Sequence, residues 1–282
     1  PSDWKIPSFI KEYGGITKTL DNLGYIKNKN YFEFAYDWRK SLDQSANTLN
    51  AYLQENVWNS NPNDNIIIIG HSMGGVLARI YGQKYPDTRI VKIITAGSPH
   101  HGVVQAYRPL EAGETQKDDT LMWLGTKLLL TINREGFRTD REIAQQLIPS
   151  LYDLFPTYNF LRTRQGTYKQ LDTLSIQNIL LNTYSDLSAI ADKLTVLYGN
   201  KTNATPLELV ITSRALIDYV TGDYVDGRPF QTRNGSGDYL VPLASSQIGS
   251  KLIELPLDHG EIIYKSQAIK KIIEELEVPY TD

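Results

Sequence analysis

The feature that most constrains this chain is a run of four isoleucines, residues 66–69, that leads directly into a glycine-rich turn. A short, β-branched and wholly apolar run is typical of a strand buried on both faces of a parallel sheet. After the turn, apolar residues recur at helical spacing as far as Tyr81. A strand, a sharp turn and a helix in this order predict a nucleophile elbow, and Gly70, Ser72 and Gly74 match its G-x-S-x-G motif.

A serine needs a base to become a nucleophile, and the chain has four histidines. His71 is adjacent to Ser72, so its side chain should point away from the serine. His100 and His101 follow an apolar strand and are expected to be packing or cleft-rim residues. Two adjacent histidines without a carboxylate at ligand spacing are weak evidence for a metal, and neither a metal nor a cofactor is predicted. His259 lies between a late strand and the final helix, from where a base can reach the elbow, and is the predicted base.

The acid should lie between the serine and the base, because elbow enzymes have the chain order Ser, Asp or Glu, His. Asp238, in the glycine-rich turn NGSGDYLVP, is the predicted acid. It would fix the tautomer of His259 and stabilise the imidazolium. Asp223 and Asp226 are the reserve candidates, whereas Asp258 directly precedes the predicted base, and the side chains of sequence neighbours diverge.

Five segments resemble the lecithin–cholesterol acyltransferase-like family of α/β-hydrolases in order and approximate spacing: FAYDWRKS, GHSMGG, GSPHHGV, GDYLVP and DHGEI. The resemblance covers both ends of the chain well and the middle poorly. The resemblance places the nucleophile on Ser72, the acid on Asp238 and the base on His259, the same three residues that were predicted from the motif and the histidines. It also implies that Asp37, Trp38 and Arg39 support the site, although a purely structural role for the three is equally consistent with the sequence.

One departure from the family pattern concerns the oxyanion hole, in which N–H groups stabilise the tetrahedral intermediate. The backbone N–H of Met73, at the helix start, is the predicted first donor. The second donor of the family comes from a turn after an earlier strand, but this chain opens with a loop and a helix over residues 16–23. We therefore expect a processed or excised part of a longer polypeptide without its N-terminal strands. Either a separate segment of the same precursor completes the sheet, or residues 1–15 fold back and offer a substitute N–H.

The remaining pattern predicts an α/β-hydrolase fold: a mostly parallel sheet with helices on both faces and a largely helical cap insertion, with the N-terminal strands absent. The predicted strands are residues 31–36, 66–69, 90–95, 194–198 and 251–255, and a capping box at Ser41 and Gln44 begins a helix that runs to about Trp58. The predicted division is core over 1–102, cap over 103–190 and core over 191–282. Within the cap, the apolar cluster 121–130 is interpreted as a buried helix or, alternatively, as a lid or interfacial helix that meets lipid.

The composition and net charge narrow the classes of partner that the chain can bind. A net charge of −3 without a basic run argues against nucleic acid. The chain has no cysteine, so disulfides and thiol chemistry are excluded. No apolar run reaches the roughly 18 residues of a spanning helix. The compartment stays open, with a secreted location slightly favoured, and interfacial membrane contact is expected, if at all, through the cap.

The predicted function is a serine hydrolase that cleaves carboxylic esters, with lipid acyl esters as the favoured substrates, through an acyl-enzyme intermediate. One alternative is an acyltransferase, which hands the acyl group to an alcohol. The other is a non-catalytic lipid-binding module that retains the triad. Reaction with a fluorophosphonate distinguishes the enzymes from the binding module, because labelling requires an activated serine.

Overall fold

The computed structural model describes residues 10–114 and 139–277. Their helices are α1 (Ile10–Asn22), α2 (Leu42–Leu53), α3 (Met73–Lys84), α4 (Tyr107–Ala112), α5 (Asp140–Leu147), α6 (Ser150–Asp153), α7 (Ile179–Thr183), α8 (Leu216–Thr221), α9 (Leu243–Ser246), α10 (Glu261–Tyr264) and α11 (Ser266–Glu275). Their strands are β1 (Ile66–His71), β2 (Ile90–Ala96), β3 (Leu161–Thr163), β4 (Leu194–Gly199), β5 (Lys201–Thr212), β6 (Arg228–Gly237) and β7 (Lys251–Leu255).

The principal sheet has the order β1-β2-β4-β7, and all three strand pairs are parallel. These are the four strands that apolar runs predict at residues 66–69, 90–95, 194–198 and 251–255, and each prediction is confirmed. Because all four strands run in the same direction, their carboxyl ends lie at one edge of the sheet. The elbow, Gly97, Asn200 and the loop that carries His259 follow these ends, so the topology gathers the predicted site at this edge.

Helices cover both faces of this sheet, as predicted. On one face, Ile93 and Val196 belong to a core that includes side chains of α2 and α3. On the other face, Ile94 and Leu197 belong to a core that includes side chains of α1, α10 and α11. Adjacent residues of each strand therefore enter opposite cores, which is why the strands are apolar without alternation.

A second sheet, of order β3-β5-β6, was not predicted. Strands β5 and β6 form an antiparallel hairpin, and β3 pairs in parallel with β5. Its core combines Phe160 and Leu161 with Leu209 and Ile211, and with side chains of α4 to α6. The second sheet thus joins residues of the predicted cap to residues that we assigned to the second part of the core. The three-part division of the chain remains a prediction.

Two local predictions differ from the structure. Residues 31–36 are not a strand: apart from one isolated bridge between Lys27 and Tyr31 they form no ladder, and Phe32, Phe34 and Tyr36 pack against the core from a loop. The helix begun by Ser41 changes after Leu53 into a π-helical turn, Gln54–Trp58.

The apolar cluster 121–130 lies outside the described residues. None of the helices in the described part of the chain has the length and apolar character needed to cross a membrane.

Candidate active site

Ser72 occupies a strained turn between β1 and α3. Its backbone has φ 55° and ψ −130°, a conformation that residues other than glycine rarely adopt. The Ser72 N–H donates to the carbonyl of Ala96 at 2.9 Å, which ties the turn to β2. Gly70 allows the close approach of strand and helix, because a Cβ there would lie 2.4 Å from the Gly74 carbonyl oxygen. The local sequence therefore forms the predicted elbow.

The structure brings the predicted serine, histidine and aspartate together. His259 Nε2 lies 2.9 Å from Ser72 Oγ, and His259 Nδ1 lies 2.8 Å from Asp238 Oδ2. Asp238 is buried. Its other carboxylate oxygen accepts from the N–H groups of Leu240 at 3.0 Å and Val241 at 2.6 Å. One oxygen is thus held by the backbone and the other faces the imidazole, which fixes the direction of the carboxylate.

His71 and Tyr13, which sequence reasoning did not assign to the site, secure the loop of His259. His71 Nε2 lies 2.9 Å from the His259 carbonyl oxygen, and Tyr13 Oη lies 3.3 Å from His71 Nδ1. Burial, followed by the proximity of His259, lowers the pKa of His71 to about 3. His71 is therefore neutral, and it must carry its proton on Nε2 to donate to the carbonyl, which leaves Nδ1 to accept from Tyr13.

Two glycines at strand ends leave room for Asp238. A Cβ on Gly97 would lie 3.2 Å from Asp238 Oδ2 and 3.3 Å from His259 Nδ1, and the φ of Gly97 is +59°. A Cβ on Gly199 would lie 2.6 Å from the Cβ of Asp238. Both glycines could be identified from the sequence, because Gly97 directly follows the apolar strand β2 and Gly199 ends the apolar strand β4.

The N–H of Met73 and the hydroxyl of Tyr36 lie around the start of α3. Met73 is the first residue of α3, and its N–H has no acceptor in residues 10–114 and 139–277. Tyr36 Oη is 3.9 Å from the position of a Cβ on Gly74, in the first turn of the same helix. Burial, and then the neighbouring Tyr13, raise the pKa of Tyr36, so its hydroxyl is protonated at neutral pH. Sequence reasoning identified Met73 but not Tyr36.

The reserve carboxylates have other partners. Asp226 accepts from the N–H and the hydroxyl of Ser175, and Asp223 accepts from the Thr221 hydroxyl. Asp258 lies 3.3 Å from Lys201 Nζ.

The three residues suggested as supports have contacts of their own. Arg39 binds Asp37 through two hydrogen bonds, of 2.8 and 2.7 Å, and Trp38 packs against the core beneath the second sheet. The Arg39 carbonyl accepts from the Ser150 N–H at the start of α6. Among the described residues, no hydrogen bond joins these three side chains to the serine, histidine or aspartate. Their support of the site therefore remains a prediction.

His100 and His101 do not form a joint site. His100 is fully buried with its Nε2 3.1 Å from Thr95 Oγ1, whereas His101 Nδ1 lies 3.1 Å from Thr157 Oγ1. Within the described ranges, no group of three side chains could hold a metal ion.

Comparison with known proteins connects this geometry to a family. The family model of lecithin:cholesterol acyltransferase matches residues 5–206, more than two thirds of the 282-residue chain. The uncharacterized Saccharomyces cerevisiae protein YJR098C is 39% identical over 108 residues, which are 38% of this chain and 15% of that protein. The match to this relative therefore spans only a small part of the relative's length.

Solved structures resemble this chain at low sequence identity. The structure of the Tle4-Tli4 complex has a TM-score of 0.51 at 14% identity and covers 86% of this chain and 68% of that one. The mature form of Bacillus licheniformis lipase BlEst2 has a TM-score of 0.48 at 15% identity, over 95% of this chain and 85% of that one. With the family match and the parallel sheet described above, the chain belongs to the lecithin:cholesterol acyltransferase family and has the α/β-hydrolase fold.

Proposed function

We propose that this chain is a serine hydrolase of carboxylic esters, with lipid acyl esters as its substrates. The observation that carries the proposal is the continuous chain of hydrogen-bond contacts from Ser72 Oγ through both ring nitrogens of His259 to Asp238. Nucleophile, base and orienting acid are each in reach of the next, as covalent acyl transfer requires. The family match supports lipid-ester chemistry, by hydrolysis or by acyl transfer.

The geometry suggests the following course. Ser72 Oγ attacks the ester carbonyl carbon as its proton passes to His259 Nε2, and the carbonyl oxygen becomes an oxyanion. The bond to the leaving alcohol then breaks, and His259 returns the proton to the alcohol. Water attacks the resulting acyl-enzyme, loses a proton to His259, and the carboxylic acid leaves as Ser72 regains its proton. Asp238 keeps Nδ1 protonated and stabilises the imidazolium in both halves.

The oxyanion needs donors that are already in position. We assign the first to the Met73 N–H, which lies at the positive end of α3 and is otherwise without an acceptor among the described residues. We assign the second to the hydroxyl of Tyr36, a half-buried side chain whose raised pKa keeps it protonated and which has no hydrogen-bond partner in the same part of the chain. A side-chain hydroxyl would thus replace the second backbone N–H that we expected from a separate segment or from residues 1–15.

Acyl transfer is the alternative that the family match favours. The two activities share the acyl-enzyme and differ only in whether water or an alcohol attacks it. A long-chain alcohol added to the assay would therefore divert acyl groups from acid to ester in a transferase, and would leave the products of a hydrolase unchanged.

Labelling by a fluorophosphonate tests the proposed function. The folded protein should be labelled and should hydrolyse p-nitrophenyl esters, and Ser72→Ala should abolish both. Ser98→Ala is the matched control, because Ser98 is a buried serine near the elbow whose hydroxyl donates to the Ala96 carbonyl. This variant should still be labelled. A folded wild-type protein that neither reacts with the probe nor cleaves the ester would favour the lipid-binding module.

A further inference from the structure

Helix α8, at the far end of the β5–β6 hairpin, exposes large apolar side chains and buries a charged one. Leu216 is 88% exposed and Val220 83%, and Tyr219 and Ile217 are 64% and 59% exposed. Asp218 of the same six-residue helix is completely buried. Soluble proteins usually show the reverse pattern, so four adjacent exposed apolar residues need an explanation.

Polar contacts hold α8 in place and leave its apolar side chains free. Asp218 accepts from the Ala215 N–H at 2.8 Å and from Arg228 Nε at 2.8 Å. Arg214 Nη2 donates to the Asp218 carbonyl at 2.6 Å. Because these contacts anchor the helix to the start of β6, the exposed residues of α8 are not required for its attachment to the fold.

The hairpin holds α8 far from the candidate active site. Strand β6 begins at Arg228, beside α8, and ends at Gly237, directly before Asp238. Ten residues of strand span about 30 Å at ~3.3 Å per residue. Val225 and Phe230, which are 46% and 61% exposed, follow the helix along the chain. We call these two residues and the four exposed apolar residues of α8 the hairpin-tip patch.

We propose that the hairpin-tip patch inserts into the surface of a lipid aggregate. Two guanidinium groups stack on its aromatic rings: Arg214 lies 4.5 Å from the ring centroid of Tyr219, and Arg164 lies 4.9 Å from that of Phe230. Arg164 has no carboxylate side chain as an ion-pair partner within the described residues, and the carboxylate close to Arg214, that of Asp218, already binds Arg228. Apolar side chains with aromatic rings and guanidinium groups beside them match the layering of a bilayer surface, where acyl chains lie below anionic phosphates.

A second copy of the chain fits the patch less well. A stable protein interface uses about 20–30 residues on each side, whereas this patch has six apolar side chains at the end of a narrow hairpin. A lipid surface accepts individual side chains without requiring a complementary shape. The proposal rests on the proposed function only for the choice of lipid, and its test does not depend on catalysis.

Co-sedimentation with lipid vesicles tests the proposal. The wild-type protein should bind vesicles of phosphatidylcholine, and bind more tightly when part of the lipid is phosphatidylglycerol. The double variant Leu216→Asp/Val220→Asp should lower the partition coefficient at least about tenfold, because two charges replace inserted apolar groups. Ile179→Asp is the matched control: Ile179 on α7 is 69% exposed but lies outside the patch, and binding should be unchanged. Circular dichroism checks that each variant folds.

Three results would overturn the proposal: no binding of the wild-type protein to either vesicle, equal binding of the double variant, or equal loss of binding in Ile179→Asp. A concentration-dependent dimer that the double variant abolishes would instead assign the patch to a second copy. Fluorophosphonate labelling, measured without lipid, reports separately on the proposed function. Failed labelling with intact vesicle binding, or the reverse, therefore distinguishes the two proposals.

Discussion

The parallel sheet and the β5–β6 hairpin meet at the candidate site, yet they are stabilised differently. The parallel sheet is buried between helices on both faces and holds Ser72 and His259 after its strands. The hairpin buries one face, exposes its distal helix, and contributes Asp238 just after its final strand. The sheet thus positions the proposed nucleophile and base, whereas the hairpin extends from the proposed acid to an exposed apolar helix.

The largest expected difference concerns two buried aspartates at opposite ends of the hairpin. Asp238→Asn should lower kcat/KM about 10³–10⁴-fold, because the amide can keep the N–H contacts of Leu240 and Val241 but cannot hold His259 in the tautomer that accepts from Ser72. Asp218→Asn, in the hairpin, should leave kcat within about twofold of wild type. It should instead lower the melting temperature, because Arg228 loses its buried partner.

Steady-state kinetics on a soluble ester, with thermal unfolding of each variant, checks both expectations. If Asp218→Asn reduced the rate as strongly as Asp238→Asn, the separation between a catalytic end and a distal end of the hairpin would be wrong.

The second difference concerns glycines. Gly70→Ala would put a Cβ 2.4 Å from the Gly74 carbonyl oxygen and 2.6 Å from the Gly75 Cα. Both atoms belong to the backbone of α3, so relieving the clash would require the strand and the helix to move apart. Gly235→Ala, in the hairpin, would meet only the Leu207 side chain, at 2.8 Å. We expect the first to destabilise the fold by more than about 3 kcal/mol, and the second by about 1 kcal/mol or less. Calorimetry should then show a melting temperature that falls at least about 6 °C for Gly70→Ala and about 2–4 °C or less for Gly235→Ala. Equal shifts would mean that the elbow is not the tightly packed part of the molecule.

The third prediction concerns Tyr36. Tyr36→Phe should lower kcat about a hundredfold with little change in KM, because a donor used only by the oxyanion stabilises the transition state and not the bound ester. Tyr13→Phe is the control: its hydroxyl contacts His71, which supports the loop of His259, so a smaller loss is expected. A Tyr36→Phe variant with wild-type kcat would show that the second donor lies elsewhere.

The sequence predicted the parallel sheet and missed the hairpin for physical reasons. Strands buried on both faces are continuously apolar, so the runs at residues 66–69 and 194–198 can be identified from the sequence alone. Strand β6, by contrast, reads RPFQTRNGSG, with a proline and two glycines, and resembles a loop. It becomes a strand because β5 supplies ladder partners, and such pairing is a tertiary effect.

The failed strand at residues 31–36 shows the opposite case. Phe32, Phe34 and Tyr36 alternate as in a strand, and they do pack against the core. No ladder partner lies beside them in the described part of the chain, so an alternating pattern yields an extended loop. In the candidate site, Ser72 and His259 could be found by motif and elimination. Tyr36 and Tyr13 could not, because their roles depend on which loops the fold brings together.

The smallest expected effect is a dependence of stability on pH that belongs to the parallel-sheet region. All four histidines lie in or beside that region, and the hairpin sequence contains none. Burial, followed by the proximity of Arg79 and His101, lowers the pKa of His100 well below 6.5. In the unfolded chain His100 takes up a proton near its ordinary pKa, whereas the folded protein keeps it neutral. The unfolded state therefore binds more protons below pH 6.5, and the stabilisation present above that pH is lost as the pH falls.

His100→Gln removes this proton while keeping an amide that can bond Thr95 Oγ1. Between pH 6.5 and 5, the free energy of unfolding of the variant should fall less steeply than that of the wild type, by up to about 1.4 kcal/mol per pH unit. The pH dependence of the free energy of unfolding is informative even if the substitution destabilises the protein at every pH. A destabilisation that is the same at every pH lowers the whole curve and leaves its slope unchanged. Denaturant unfolding at several pH values measures both curves. Parallel curves would mean that His100 is protonated equally in the folded and unfolded states, and that its burial does not make the parallel sheet sensitive to acid.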